Sequence, residues 1–317
     1  MKTNHRYLRA ALAMTALAGS FLAPVPRSVA GEESPEAKMS KPLSEEPIES
    51  KIHVLLNLDL SNAYITPRGL NVNNKGLIIQ PLGVLLFDLY SSKGWLSDVT
   101  MNLAVWNCLQ TYERNTGPRP GPWNEIDFSG GLTVKILKNI QLDAAYTSFT
   151  SETQAYPTST NLDLKLTYHD NFVPGFSLNP YYEYFQEVTN KATVDLDPTT
   201  SRRSFYFVLG MDPTIAVKIP FPVTIELPTF ANFCGEHFYQ QFGGAGGGSG
   251  FALISTELKA TVPLSFIPKG YGNWSFYAGC QYYYLQNHGL LDGNLALEPG
   301  ELRHNLVQVH TGLTIFF

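Results

Sequence analysis

The sequence predicts an all-β chain, a transmembrane antiparallel up-and-down β-barrel of about twelve strands. Three observations carry that expectation. Segment after segment alternates apolar and polar residues with a period of two, which gives a strand one oily and one wet face. The connections between segments alternate short and long. The last segment, Asn305 to Phe317, alternates to its end and stops on an aromatic residue. Backbone groups in lipid find no water, so a membrane-crossing sheet must close on itself and leave no edge.

Composition is consistent with this. The 317 residues carry a net charge of −5, with 44% hydrophobic, 15% charged and 13% aromatic residues and 26 glycines. Few charges with many aromatics are unusual in a soluble enzyme of this length. The mean hydropathy of −0.08 excludes a helical membrane protein, yet alternating strands cancel in that average. Residues 1–30 read as a secretory signal peptide: Lys2, Arg6 and Arg9 precede an apolar run from Ala10 to Ala23, and Ser28, Val29 and Ala30 supply small residues for cleavage. Its removal leaves 18 basic and 27 acidic residues, a charge of −9. That balance argues against a nucleic-acid partner, which needs basic surface. Residues 31–50, rich in Glu, Pro, Ser and Lys, read as a disordered periplasmic leader. The barrel is expected over 51–317.

The strands follow in order. Ile52, Val54, Leu56, Leu58 and Leu60 alternate with His53, Asn57 and Asp59, and Leu55 is an exception on the wet face. Leu77 to Tyr90 is apolar on both faces, with Pro81 and Gly83 inside it, so its register is the least defined. The third strand alternates through Val99, Met101, Leu103 and Val105; the fourth through Ile126, Phe128, Gly130, Leu132, Val134 and Ile136. The fifth covers Ile140 to Thr147 and the sixth Asn161 to Tyr168. The seventh runs from Phe176 to Tyr184, the eighth from Phe205 to Lys218, and the ninth through Val223, Ile225 and Leu227. The tenth spans Ile254 to Val262, the eleventh Trp274 to Tyr284, and the twelfth Asn305 to Phe317.

Short connections hold turn residues at 91–94, 138–139, 169–171, 219–222 and 268–270. Long ones fall near 65–76, 111–122, 150–158, 187–203, 234–250 and 287–303. Short periplasmic turns and long outer loops are the pattern of membrane barrels, and this count puts both chain termini on the periplasmic side. Aromatics on the oily face gather at strand ends. Tyr168, Phe176, Trp274 and Phe317 lie at the short-turn end, and Tyr64, Tyr184, Phe205, Phe233 and Tyr284 at the loop end. They are candidate interfacial girdles. Phe317 on its alternating strand resembles the closing residue of outer-membrane barrels and is the expected signal to the barrel-assembly machinery.

A narrower resemblance sits in the first strands. Ser61-Asn62-Ala63-Tyr64-Ile65-Thr66-Pro67-Arg68-Gly69, then Gln80-Pro81, then Leu103-Ala104-Val105-Trp106 resemble the opening of the TorF-like porin family. Ala104 stands where that family usually has Gly. The resemblance covers about 60 residues and implies an outer-membrane channel for solutes, without naming one.

If the oily faces meet lipid, the wet faces line a lumen. Asp59, Asn102, Asp143, Asp163, Lys165, Glu183, Glu226, Glu257, Lys259 and Gln308 are the expected pore-lining residues. Acids outnumber bases there, which favours a narrow, mildly cation-preferring pore for small polar solutes or ions. Alternatively Asp163, Lys165, Glu257 and Lys259 pair across strands and hold the wall together, which is compatible with a pore; a plugged, non-conducting barrel is a separate alternative. Arg68 beside Gly69 reads as a turn with one solvated charge, or as an arginine folded into the mouth to meet anionic groups. The Gly243–Gly250 run lacks the Lys-Ser/Thr and helix of a phosphate loop and reads as a flexible outer loop.

No enzyme, metal or cofactor is expected. Cys234, Glu236 and His237 lack a second ligand pair. A barrel hydrolase would draw on Ser255, His288, Asp292 and His304, but no Gly-x-Ser-x-Gly elbow is present. An adhesive barrel using the loops at 111–122 and 187–203 is a third reading. The three cysteines leave a Cys108–Cys234 bridge open, and the oligomeric state is not legible.

Overall fold

The computed structural model describes residues 51–112, 119, 121–170, 173–191, 202–218, 220–240, 248–297, 300 and 302–317. The expected signal peptide, the leader, and most of the glycine run lie outside the described residues.

Twelve wall strands form one closed antiparallel sheet. They are β1 (Ile52–Ser61), β2 (Ile78–Ser91), β3 (Leu96–Gln110), β4 (Trp123–Ile136), β5 (Ile140–Ser151) and β6 (Ser159–Tyr168). Then come β7 (Phe176–Ser177 and Pro180–Thr189), β8 (Phe205–Met211 and Thr214–Lys218), β9 (Pro222–Glu226 and Thr229–Cys234), β10 (Gly250–Pro263), β11 (Asn273–Leu285) and β12 (Asn305–Phe316). Each strand pairs with the next in sequence. Closure comes from β12 against β1, in register from Leu55 opposite Phe316 to Ser61 opposite His310. The sheet therefore closes on itself, with each of the twelve strands set between two neighbours.

Period-two alternation sorts the side chains across this wall. Outward residues include Leu58, Leu132, Leu258 and Val307, which are 40%, 44%, 56% and 52% exposed. An apolar wall of this extent is not the surface of a water-soluble barrel. Outer aromatics also meet across strands: Phe207 stacks on Phe233 at 5.1 Å, and Phe233 meets Phe251 edge-on at 5.7 Å. The girdle expectation fails at one residue. Tyr64 is fully buried, because it belongs to a segment that has left the wall.

The structure defines the register of β2. Gln80 opposes Asp59, and Val84 opposes Leu55. Leu55 thus has a reason to point inward, since it meets Val84, which is itself paired with buried Ala104. The inside of β1–β3 is partly apolar, which a simple oily-out, wet-in rule does not anticipate.

Three adjacent strands break at one level. The gaps are Leu178–Asn179 in β7, Asp212–Pro213 in β8 and Leu227–Pro228 in β9. Proline cannot donate to a ladder, so Pro213 and Pro228 interrupt it. The wall stays sealed because displaced bonds bridge the gaps: Asp212 N–H to Leu178 C=O, Leu227 N–H to Pro213 C=O, and Glu257 N–H to Pro228 C=O, each 2.9 Å. The alternation that stops at Leu227 in the sequence thus resumes and carries β9 on to Cys234.

Within the lumen, Gly312 lets a ring lie flat on the wall. It sits opposite Tyr277 and Asp59, and a Cβ there would fall 2.4 Å from both the Leu58 carbonyl oxygen and the Tyr277 hydroxyl. Gly83 faces outward with 3.7 Å to its nearest neighbour. Gly312→Ala is expected to cost about 1–3 kcal/mol through forced displacement, read as a lower denaturant midpoint in detergent, with Gly83→Ala near neutral. Equal midpoints for the two variants would contradict this packing.

Candidate functional site

The first long connection does not extend outward. It turns into the barrel as a small hairpin, Tyr64–Ile65 against Asn71–Asn73. Its sequence dictates the bend. Pro67 follows Thr66, the Gly69 N–H donates to the Thr66 carbonyl at 2.8 Å, and Thr66 N–H donates to the Leu70 carbonyl at 2.9 Å. Gly69 has φ +82°, a conformation side chains rarely adopt. The turn presents Arg68 at its tip.

Arg68 is 1% exposed. The solvated-turn expectation is thus overturned: Arg68 folds inward, and the anionic groups it meets there are the protein's own carboxylates. Its guanidinium lies over Phe185 at 4.5 Å, Phe149 at 5.4 Å and Tyr206 at 5.7 Å. It interacts electrostatically with Glu125, Asp127, Asp163 and Glu183. Desolvating a cation is costly, and rings plus carboxylates offset that cost.

Side chains from all round the wall clasp the hairpin. Asn294, from the helix α1 (His288–Leu297), accepts from the Asn71 N–H at 2.7 Å and donates to the Gly69 carbonyl at 2.9 Å. The Tyr239 hydroxyl donates to the Arg68 carbonyl at 2.9 Å. Gln308 donates to the Ala63 carbonyl at 3.0 Å, and the Tyr64 hydroxyl donates to Glu125 at 3.0 Å. Burial, with Glu125 nearby, pushes the Tyr64 hydroxyl well above the usual tyrosine range, and burial does the same to Tyr239. Both are therefore neutral donors. Leu70, Val72, Leu253, Leu285, Leu290 and Leu291 pack about the hairpin as an apolar core. The loop-end half of the lumen is filled.

The short-turn half is lined with charge. His310 bridges two carboxylates: Nδ1 to Asp59 and Nε2 to Glu257, both 2.8 Å. Two acceptors require a donor on each ring nitrogen, the arrangement of an imidazolium between carboxylates. Tyr277 donates to the same Asp59 oxygen at 2.8 Å. Lys259 pairs with Glu226 at 3.2 Å, directly across β10 and β9. Lys165 lies 3.9 Å from Asp212 and over the Tyr181 ring at 3.8 Å.

The ten expected lining residues divide between these regions. Asp59, Glu226, Glu257 and Lys259 belong to the short-turn network, and they are half-buried. Asp143 is buried and accepts from Thr133 at 2.7 Å and Gln141 at 2.9 Å. Asn102 lies half-buried opposite Gly131. Asp163 and Glu183 face the Arg68 region, with Lys165 opposite Glu183. Gln308 holds the hairpin. Within ion-pair distance Lys165 meets Asp212, Lys259 meets Glu226 and Glu257 meets His310, while Lys165 also acts electrostatically on Asp163 and Lys259 on Glu257. Neither Asp163 oxygen has a hydrogen-bond partner. His310, Tyr277 and Asp212 were missed; His310 stands on the wet face of the last strand, where its parity was visible.

The other expectations are soon placed. Ser255 accepts from Gln281 at 3.0 Å, His304 lies 2.8 Å from the Leu285 carbonyl, and His288 and Asp292 are exposed; no hydrogen bond joins them among the described residues. Cys108, Cys234 and Cys280 are free thiols. Cys234 bonds to the Gly248 and Gly250 carbonyls, while His237 lies 3.8 Å from Glu236. No group of three or more metal-ligating side chains occurs among the described residues. Phe317 is 50% exposed, its N–H bonded to the Val54 carbonyl at 2.9 Å.

No family model matches the chain, and no curated protein matches it. Solved structures with a similar outline exist. An outer-membrane channel from Pseudomonas putida F1 is 11% identical over 88% of this chain and 100% of its own, with a TM-score of 0.49. The NanC porin is 9% identical over 82% and 98%, with a TM-score of 0.42. LpxR from Salmonella typhimurium is 7% identical over 83% and 100%, with a TM-score of 0.45.

Asn294→Ala removes both the acceptor for Asn71 and the donor to Gly69. It is expected to cost about 1–3 kcal/mol and to speed amide exchange across 64–73 while β4–β6 amides stay protected. Unchanged exchange in that hairpin would mean the clasp contributes nothing.

Proposed function

We propose that the protein is an outer-membrane channel for passive diffusion of small polar solutes or ions, closed in this conformation by its own first-loop hairpin. The apolar outer wall supports a membrane setting, since only lipid suits a closed sheet with such a face. With short turns on the periplasmic side, both termini face the periplasm and the hairpin is reached from outside. The partners are then outer-membrane lipid, the assembly machinery that inserts barrels, and the solute.

One observation carries the channel reading. The lumen is polar along its short-turn half and is shut above by a segment held through side-chain hydrogen bonds, not by strand pairing with the wall. Asn294, Tyr239, Gln308 and Glu125 supply those bonds. Each contributes about 1 kcal/mol net, in addition to the apolar packing of Tyr64, Ile65, Leu70 and Val72. Asp59, Asp143, Asp212, Glu226 and Glu257 outnumber Lys165, Lys259 and His310 along the open half. That excess concentrates cations at the constriction.

The filled loop-end core favours a second reading, a barrel that never conducts. Planar-bilayer recording separates the two. Purified protein that shows heat-modifiable gel migration is expected to open rarely, and Asn294→Ala with Gln308→Ala to open more often. In a potassium chloride gradient the reversal potential should have the sign of cation preference. Folded protein whose unclasped variant gives no openings would establish the non-conducting barrel.

A further inference from the structure

The chamber around Arg68 has features that plugging does not require. Three rings from different strands, Phe149 on β5, Phe185 on β7 and Tyr206 on β8, surround one planar cation. Phe185 and Tyr206 stack at 4.7 Å. The acids stand beside the rings: Asp127 is directly opposite Phe149, and Asp163 directly opposite Phe185. A residue needed only to fill space would not call for rings and carboxylates matched in this way.

Arg68 nevertheless fits the chamber incompletely. Its Nε and Nη1 have no hydrogen-bond partner, and neither do both oxygens of Asp163, which is 4% exposed. Asn232, 1% exposed on β9, has neither its amide oxygen nor its nitrogen partnered. It sits in the same cross-strand row as Glu183, through Val208. Buried polar groups are normally satisfied, so unmatched donors and acceptors in one chamber mark an occupant that is right in charge but constrained in position. Arg68 is so constrained, because its backbone carbonyl is fixed by Tyr239. An untethered guanidinium could slide along the ring faces and reach a carboxylate with two parallel N–H donors.

We propose that this aromatic and acidic cage is a binding site for a guanidinium-bearing solute, and that Arg68 occupies it as an internal stand-in while the hairpin is seated. This deepens the channel reading by naming a solute class; it rests on that reading for the route of entry but not for binding itself. The planar cation is favoured over an ammonium because it stacks on rings and pairs with carboxylates at the same time.

The test is thermal unfolding of the full-length barrel in detergent, with methylguanidinium as probe. Arg68→Met empties the cage of charge while keeping the bulk of the hairpin tip. Its midpoint should fall, and millimolar methylguanidinium should restore about half of the loss by binding the folded state. Wild type, its cage filled, should shift no more than it does with sodium chloride of equal ionic strength. Phe185→Leu added to Arg68→Met should abolish the rescue, and methylammonium should rescue less. If Arg68→Met does not fold, refolding yield with and without methylguanidinium gives the same readout. No rescue beyond salt, rescue that survives loss of Phe185, or equal rescue by methylammonium would overturn the assignment. Conductance without rescue would retain the channel and discard the site.

Discussion

Everything in this molecule depends on the ladder between the last strand and the first. With β12 paired to β1 from Leu55 to Ser61, the sheet closes on itself, and the ladders satisfy most of the wall's backbone groups internally. Only then can the outside be apolar without exposing N–H and C=O groups. Closure also turns alternation into an address. A side chain of one parity faces out and one of the other faces in, and a slip by a single residue would exchange the two populations. The broken level in β7, β8 and β9 shows how firmly this is held: two prolines interrupt the ladder, and displaced bonds reseal it.

A closed wall creates an interior that must be filled or wetted, and this chain does both. Toward the loops the interior is a packed core around an inserted hairpin. Toward the short turns it is a charged network around His310 and Lys259. The boundary between them is Arg68. A cation moved from water into a protein interior costs several kcal/mol, and desolvated contact with aromatic faces returns about 2 kcal/mol. Nearby carboxylates add a favourable electrostatic contribution. The insertion is therefore favourable only as a whole, with rings, acids and clasp together.

Strands and barrel were legible in the sequence because alternation is a local signal repeated twelve times. Strand ends shifted by a few residues, and β8 and β9 proved kinked where Asp212-Pro213 and Leu227-Pro228 could be read as ends. The interior was less legible. The sequence places Tyr64 and Arg68 in a loop, and nothing in their spacing says that the loop folds inward. The Thr66-Pro67-Arg68-Gly69 turn was visible, but its destination is set by Asn294, Tyr239 and Gln308, whose bonds to the segment span 171 to 245 residues. Helix α1 was missed for a local reason: Gly289 and Gly293 weaken its propensity, and contacts of Leu290, Leu291 and Asn294 with the hairpin stabilise it instead.

The same distinction explains which charges pair. Cross-strand register puts Lys259 opposite Glu226, and the two meet at 3.2 Å. It puts Lys165 opposite both Asp143 and Glu183, yet the lysine reaches Asp212 across the Tyr181 ring. The difference follows from how deeply each pair is buried and what else it meets. Lys259 and Glu226 are both half-buried, and each meets the neighbour directly opposite. Around Lys165 the groups are more buried: Asp143 already accepts from Thr133 and Gln141, and Glu183 accepts from Tyr206. Lys165 is itself buried and acts, beside the Arg68 guanidinium, on the buried Asp163 and Glu183. The division of the lumen into a dry, ring-lined chamber and a wet, ion-paired vestibule thus follows from where one loop folds back.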